Sequence, residues 1–161
     1  MPRRPSTLTH LDPAGNVRMV DVTSKRTTTR SATARSIVLL PAPALAVLLA
    51  GGDTKKGNVL QIARIAGIQA AKRTAELIPL CHQIPLTGVA IDLRLDGNRL
   101  VIEGTATCRG QTGVEMEALT GVSIAALTVY DMLKAVSHDL VISATELLTK
   151  DGGRSGRIDR R

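Results

Sequence analysis

The amino-acid sequence predicts an α+β fold: a ferredoxin-like split β-α-β arrangement, with an antiparallel sheet and helices packed on one face. Two observations support this prediction. Apolar residues at every second position indicate half-buried strands, and two longer apolar stretches indicate helices. Their order is β–α–α–β–β–α–β, and leaving out the short first helix gives the split β-α-β pattern.

The first part of the chain predicts an arm, a strand and a short helix. Residues 1–20 indicate a loop or N-terminal arm, because they include the turn-forming segment Asp12-Pro13-Ala14-Gly15-Asn16. The segment Thr29–Leu40 is rich in Thr and ends in four apolar residues, which predicts a strand. Pro41 can begin a short helix, since proline is tolerated in a first helical turn. A loop at residues 51–58 follows.

The middle of the chain predicts a capped helix and a hairpin. Asn58 is placed to cap the second helix. This helix must end before Pro79, because proline disfavours helical backbone at the preceding residue. Residues 89–95 alternate between apolar and polar side chains, as a half-buried strand does. Residues 96–98, Asp-Gly-Asn, form a turn, and residues 100–107 predict the returning strand.

The last third predicts a long helix over residues 117–134 and a final strand at residues 140–148. Residues 151–161 then predict a flexible basic tail. We expect one domain over residues 1–161.

Composition limits the class of protein. A chain of 161 residues, 43% hydrophobic and 22% charged, suits one globular domain with a sizeable core. With no Trp or Phe, that core must come from aliphatic residues. Two cysteines make no disulfide framework, and they fit a reducing cytoplasm. No secretory signal is evident, and the apolar run at 41–50 is too short to span a membrane.

The formal net charge of +7 is concentrated in the two ends of the chain. Residues 41–139 carry nine basic and nine acidic residues. A basic tail favours anionic partners, although solvated tails are commoner. Any anion site in the middle of the chain must therefore be local.

The predicted long helix carries charges although it is apolar enough to be buried. Six of its polar residues fall within an arc of about 140° on a helical wheel: Glu117, Thr120, Ser123, Thr128, Asp131 and Lys134. One interpretation is an amphipathic helix with a thin solvated edge. The other is a largely buried helix whose polar stripe lines a cleft, because uncompensated buried charges are costly and often functional.

Two loops carry side chains that suit a binding site. Lys55 and Lys56 precede a helix, whose N-terminus favours anions, though such loops are also common on surfaces. The glycines at 110–113 would let a ligand approach the backbone closely. Glu115 and Glu117 beside them could contact a polar base or hydroxyl, or simply favour the helix N-terminus.

The adjacent pair Cys81 and His82 could indicate a cysteine nucleophile activated by the histidine, or a zinc site, but the sequence around the pair favours neither. Neighbouring residues in an extended segment point to opposite faces. Zinc needs several spaced ligands, and the other cysteine and histidines lack ligand spacing. We therefore expect no metal.

Several blocks together resemble the cyclic pyranopterin monophosphate synthase family of molybdenum cofactor biosynthesis (MoaC). They are KGNVLQIARIAGIQAAKRTAELIPLCH, GQTGVEMEALTGVSIAALTVYDMLKA and LLTKDGGRSG, with MVDVTSKRTTTRSATA near the N-terminus. The similarity covers roughly residues 8–156. It implies a catalytic domain of the lyase type that rearranges a cyclised dihydroguanosine triphosphate to cyclic pyranopterin monophosphate and releases pyrophosphate.

The resemblance also implies the site residues. The positions that match the family's catalytic residues are Asp131, Lys134 and Lys56. Those that match its substrate-binding and pocket positions are Leu80, Cys81, His82, Met116, Glu117, Glu115, Lys72 and Lys150. The family often has Pro where Gln83 stands, Cys where Leu133 stands and Gly where Ser36 stands, and these departures bear on the shape of the pocket.

The family forms hexamers, trimers of dimers, with active sites at subunit interfaces, and the same is implied here. The long helix is apolar over more of its circumference than one sheet face can cover. Part of Leu119, Ala126, Leu133 and Tyr130 is therefore expected to meet another subunit. We expect a cytoplasmic enzyme with no cofactor, although a divalent ion could accompany the triphosphate.

Two other classes of protein compete with this interpretation. A nucleic-acid-binding module would suit the fold and the basic ends. The lack of aromatic residues argues against it, since Tyr130 alone is available for stacking and lies on a helix. An inactive scaffold would not need the acids and lysines. We therefore expect neither a nucleic-acid partner nor a membrane.

Overall fold

The computed structural model describes residues 14–153 and 156–161. In this part of the chain the strands are β1 (Thr28–Leu39), β2 (Asp53–Thr54), β3 (Gly57–Asn58), β4 (Leu86–Asp96), β5 (Arg99–Gly110), β6 (Val141–Asp151) and β7 (Ile158–Asp159). The helices are α1 (Ala42–Leu49), α2 (Val59–Lys72), α3 (Thr74–Leu77) and α4 (Glu115–Leu133). The predicted α+β class is confirmed.

One antiparallel sheet organises the fold, with strands in the order β4-β5-β1-β6-β7. β5 lies between β1 and β4, the two strands that α2 connects, so this connection is a split β-α-β unit. β2 and β3 form a separate small hairpin. Alternate residues of β1, including Ala34 and Val38, are fully buried beneath the helices, as the period of a strand requires.

Small residues let α4 pack closely on both the sheet and α2. A Cβ on Gly104 of β5 would lie 2.7 Å from the Val122 Cγ1 atom of α4. A Cβ on Gly67 of α2 would lie 2.9 Å from the Gly121 carbonyl oxygen. The core around these contacts is aliphatic, as the composition predicted.

The predicted starts of α1 and α2 are confirmed, whereas α4, predicted over residues 117–134, spans Glu115–Leu133. Pro41 precedes α1, and the Asn58 side chain accepts a hydrogen bond from the Gln61 backbone amide at 3.1 Å, which caps α2. The predicted loop at 51–58 contains the β2–β3 hairpin, because Thr54 and Gly57 pair across a tight turn.

The predicted flexible tail is partly ordered, and that expectation needs correction. Ile158 pairs with Lys150 of β6, and the Arg160 amide donates to the Leu148 carbonyl at 2.8 Å. The edge of β6 offers unpaired backbone groups, and the tail satisfies some of them. Of the predicted arm, residues 1–13 lie outside the described residues.

The apolar surplus of α4 is smaller than the sequence suggested. Ala126 and Leu133 are fully buried within the chain, so they are not free to meet a neighbour. Leu119 and Tyr130 are half-buried, whereas Leu127 is 54% exposed. In the described part of the chain α4 alone is long and apolar enough to cross a membrane, but most of it packs inside this fold.

We expect Gly67→Ala to destabilise the fold despite the helix preference of alanine, which is worth about 1 kcal/mol over glycine. The added Cβ meets the backbone of α4, which has no room to shift cheaply. Overpacking costs roughly 1–3 kcal/mol, so the free energy of unfolding should fall by about 1–2 kcal/mol in urea titrations.

The matched control is Gln69→Ala, at an exposed position of the same helix. It should leave the unfolding midpoint unchanged or slightly raised. A Gly67→Ala protein as stable as the wild type would contradict the close packing of α2 and α4.

Candidate active site

Two adjoining cavities lie at the N-terminal end of α4. The first, which we name the basic cavity, has a volume of about 620 Å³ and is lined by Lys25, Arg26, Arg30 and Lys150, with Glu115 as its carboxylate. The second, the histidine cavity, has a volume of about 340 Å³. Its lining includes Leu80, Cys81, His82, Glu115, Met116 and Glu117. These six residues of the predicted site, with Lys150 of the basic cavity as a seventh, are therefore brought together here.

Two charged side chains of the basic cavity have fixed positions. The Arg30 guanidinium donates from Nε to the Gly110 carbonyl at 2.9 Å and from Nη2 to the Gln111 carbonyl at 3.1 Å. Lys150 Nζ contacts Glu115 Oε1 at 2.6 Å, and both side chains are largely buried. The cavity therefore presents an excess of positive charge in a preorganised arrangement.

Gly113 lines both cavities and also makes room for this pair. A Cβ at residue 113 would lie 1.8 Å from Glu115 Oε2. The glycine thus allows the carboxylate of Glu115 to fold back over the start of α4.

Glu117 is an acid buried inside the molecule. The residue is only 3% exposed, and its Oε2 atom has no hydrogen-bond partner among the described residues. Burial raises the pKa of the Glu117 carboxyl above its ordinary value, and the nearby charge of Glu115 adds to this. The shift extends the protonated form of this carboxyl to higher pH than for an ordinary glutamate, and the protonated form can donate a hydrogen bond.

Cys81 and His82 line the same cavity. The segment is not a strand: the Cys81 amide donates to the Ile78 carbonyl at 3.1 Å, which closes a turn. His82 Nε2 lies 2.7 Å from the Val20 carbonyl. Because a carbonyl only accepts, Nε2 carries the proton, and Nδ1 is left for other contacts.

Cys81 does not have the character of a nucleophile. Burial raises the pKa of its thiol, and the charge of Glu117 raises it further. The neutral thiol predominates, as the sequence analysis expected from the lack of an activating base.

A second charged group lies at the other end of α4. Asp131 contacts Lys134 Nζ at 2.8 Å and Lys56 Nζ at 3.2 Å. The three side chains predicted as catalytic are thus brought together, two by their i,i+3 spacing on one helix and the third by the β2–β3 hairpin. The lysines hold the pKa of the Asp131 carboxyl below its usual range, and Asp131 raises the pKa of Lys134.

The two groups are far apart within one chain. Glu117 and Asp131 are fourteen residues apart on one helix, which corresponds to about 21 Å along its axis. The stripe predicted from the helical wheel is therefore not the wall of one cleft in a single chain. Asp131 is 54% exposed, whereas Glu117 is buried. Lys72 is exposed at the end of α2 and lines neither cavity.

Comparison with known proteins identifies the family. The model of the MoaC family matches residues 19–153. The chain belongs to the MoaC family. It is 56% identical over 155 residues to a cyclic pyranopterin monophosphate synthase of Chloroflexus aggregans, covering 95% of this chain and 93% of that protein.

Two further relatives in the MoaC family carry the same name. One from Cereibacter sphaeroides (strain ATCC 17029) is 53% identical over 156 residues, covering 96% of this chain and 98% of its own. One from Parvibaculum lavamentivorans is 54% identical over 151 residues, covering 92% of this chain and 94% of that protein. The resemblance inferred from the sequence blocks is confirmed.

The basic residues that precede and begin β1 were not predicted as site residues. Lys25, Arg26 and Arg30 all line the basic cavity. They lie in a block that already resembled the MoaC family, and three basic residues in six positions beside threonines were an available signal.

The departures from the usual MoaC pattern lie mostly away from the cavities. Leu133 is fully buried in the core, and Ser36 is buried under the helices with its hydroxyl 3.0 Å from Thr145 Oγ1. Gln83 is exposed beside His82. No three His, Cys, Asp or Glu side chains of residues 14–153 and 156–161 lie where they could hold a metal ion together. The expected absence of a metal stays a prediction.

We expect Glu117→Gln to stabilise the protein at neutral and alkaline pH. A raised folded-state pKa means that the native protein holds a proton which the unfolded chain releases, so wild-type stability falls as pH rises through that pKa. The glutamine variant escapes this loss. Thermal unfolding between about pH 4 and pH 8 should therefore show an advantage of the variant that grows with pH. A pH-independent difference would mean that Glu117 titrates normally.

Proposed function

We propose that this chain is a cyclic pyranopterin monophosphate synthase of molybdenum cofactor biosynthesis. It converts (8S)-3',8-cyclo-7,8-dihydroguanosine 5'-triphosphate to cyclic pyranopterin monophosphate and releases pyrophosphate, as a lyase of the cytoplasm. The observation that carries the proposal is the assembly of Lys56, Asp131 and Lys134 into one charged cluster in a chain whose relatives bear this name.

The two cavities suit the two parts of this substrate. Four basic side chains in the basic cavity match a triphosphate, which binds cations and above all the fork of an arginine. The buried Glu117 carboxyl, whose pKa burial raises, and His82 in the histidine cavity match a heterocycle that both donates and accepts hydrogen bonds.

The lysine–aspartate cluster suits the rearrangement itself. Opening and rebuilding a ring requires proton transfers, for which a carboxylate between two lysines provides both a base and an acid. Closing the cyclic phosphate by displacing pyrophosphate depends on positioning and charge neutralisation, and needs no nucleophilic side chain. We propose no cofactor for either step.

We further propose that the active site is shared between two subunits of a hexamer arranged as a trimer of dimers. Proton transfer requires groups within hydrogen-bond reach of the substrate, and about 21 Å separates Glu117 from Asp131 along one helix. The exposed cluster of one chain is then placed against the cavities of another. The charges of a solvent-exposed cluster also interact only weakly with a substrate until a partner subunit excludes the water around them.

We expect no nucleic-acid partner. Tyr130 directs its hydroxyl to the His138 carbonyl at 3.2 Å at the end of α4, so it offers no platform on which bases could stack.

Substitution of the cluster tests the proposed reaction. Asp131→Asn and Lys56→Ala should each lower turnover of the enzymatically prepared cyclic dihydro-GTP substrate by about 10²-fold or more, because each removes a positioned proton-transfer or charge-neutralising group. Pyrophosphate and the cyclic monophosphate are both measured.

Lys55→Ala is the matched control, since Lys55 is the exposed neighbour of Lys56 in the same hairpin. It should retain turnover close to that of the wild type. Wild-type activity in Asp131→Asn would refute the assignment, and inactive wild-type protein would refute the proposed function.

Mixed oligomers test the shared site. Coexpression of Asp131→Asn with His82→Ala should restore activity, because random pairing in closed dimers gives about a quarter of the sites both intact groups. Asp131→Asn with Lys134→Ala is the control, since both changes affect the same cluster and no intact site can form. Equal inactivity of both mixtures would place each complete site within one chain.

A further inference from the structure

The turn after β6 packs directly on an arginine of the basic cavity. Gly152 and Gly153 follow the last residue of that strand, with φ values of +94° and +77°. A Cβ on Gly153 would lie 2.3 Å from Arg30 Nη1 and 3.1 Å from Arg30 Cζ. The Arg30 guanidinium therefore occupies the space that a side chain at residue 153 would need.

The Arg30 guanidinium is held on three sides by backbone. Nε and Nη2 donate to the Gly110 and Gln111 carbonyls, which lie at the end of β5. The Gly153 backbone closes the third side, against Nη1. Gly153 packs beside Nη1 without hydrogen-bonding it, and among the described residues no hydrogen bond engages Nη1, so its N–H groups remain available to a ligand of the basic cavity.

We propose that Gly153 is a positioning residue, which seats the Arg30 guanidinium for binding a phosphate group in the basic cavity. This inference rests on the proposed function, which supplies the phosphate-bearing substrate. Any side chain at residue 153 pushes the guanidinium away from its two carbonyl acceptors. The arginine then loses the fixed fork geometry on which bidentate phosphate binding depends.

A purely conformational role for the glycine makes a different prediction. Positive φ values disfavour every other residue type, whatever the space around it. Gly156 offers the matched comparison: its φ is +65°, it is exposed, and an added Cβ would meet nothing within 4 Å. Gly153→Ala and Gly156→Ala therefore impose similar backbone strain, and the collision with Arg30 belongs to Gly153→Ala.

The test compares Gly153→Ala, Gly156→Ala, Arg30→Ala and the double variant Gly153→Ala/Arg30→Ala in the full chain. Calorimetry measures the binding of inorganic pyrophosphate. Steady-state kinetics with the cyclic dihydro-GTP substrate gives KM and kcat, and thermal unfolding gives Tm. Gly153→Ala should weaken pyrophosphate binding by about tenfold and raise KM more than it lowers kcat, as loss of a ground-state contact does. Gly156→Ala should keep wild-type binding.

The double variant separates positioning from general damage. Without Arg30 the collision is relieved, so Gly153→Ala should cause no further loss of binding in that background, and there it should lower Tm only by about the amount that Gly156→Ala lowers it in the wild type. Equal loss of binding in Gly153→Ala and Gly156→Ala, or additive losses in the double variant, would overturn the inference. Absence of pyrophosphate binding by the wild type would also overturn the inference. Failure of the proposed function is a distinct result: the wild-type protein would not turn over the substrate.

Discussion

The close packing of α4 on the sheet and on α2 is the constraint on which the rest of the structure depends. Glycines at Gly67, Gly104 and Gly121 let the backbone of the helix approach its neighbours closely. A helix held in this way along its length is a rigid rod, because its core-facing side chains are fully buried in a dense interior. Whatever α4 carries at its two ends is therefore fixed in distance and orientation.

This rigidity divides the polar residues of α4 into two groups with opposite electrostatic surroundings. At its N-terminal end Glu117 is enclosed by the chain, and burial raises the pKa of its carboxyl. At its C-terminal end Asp131 lies in water between two lysines, which lower the pKa of its carboxyl. Within one chain α4 keeps Glu117 and Asp131 apart. In the proposed shared site, Glu117 of one chain would lie opposite Asp131 of another.

Much of the fold follows from local sequence signals. The strand of residues 89–95, the turn after it and the Asn58 cap each depend on a few neighbouring residues, and each was predicted. The site followed from resemblance in sequence blocks, because Lys56 and Asp131 are 75 residues apart and no local pattern joins them. Arg30 was missed for the same reason, since its partners are the carbonyls of Gly110 and Gln111 on another strand.

Other errors came from rules applied where their premise failed. The tail was expected to be mobile from its composition, yet the open edge of β6 gives Ile158 and Asp159 backbone partners. From the helical wheel, Ala126 and Leu133 were expected to have apolar surface free to meet another subunit. A wheel contains no information on the strands and loops that cover a helix.

The opposite pKa directions of Glu117 and Asp131 suggest a division of labour in the proposed shared site. Two carboxyl groups whose surroundings push their pKa values apart are suited to act as an acid and a base at the same pH. Here Glu117 would supply the protonated form to the heterocycle, and Asp131 the ionised form between its lysines. Neither shift requires the substrate, since burial raises the pKa of Glu117 and ion pairing lowers that of Asp131. Because the two groups would come from different chains, the complete acid–base pair would form only on assembly. A dissociated chain would still have both carboxyl groups, but too far apart to act on one substrate.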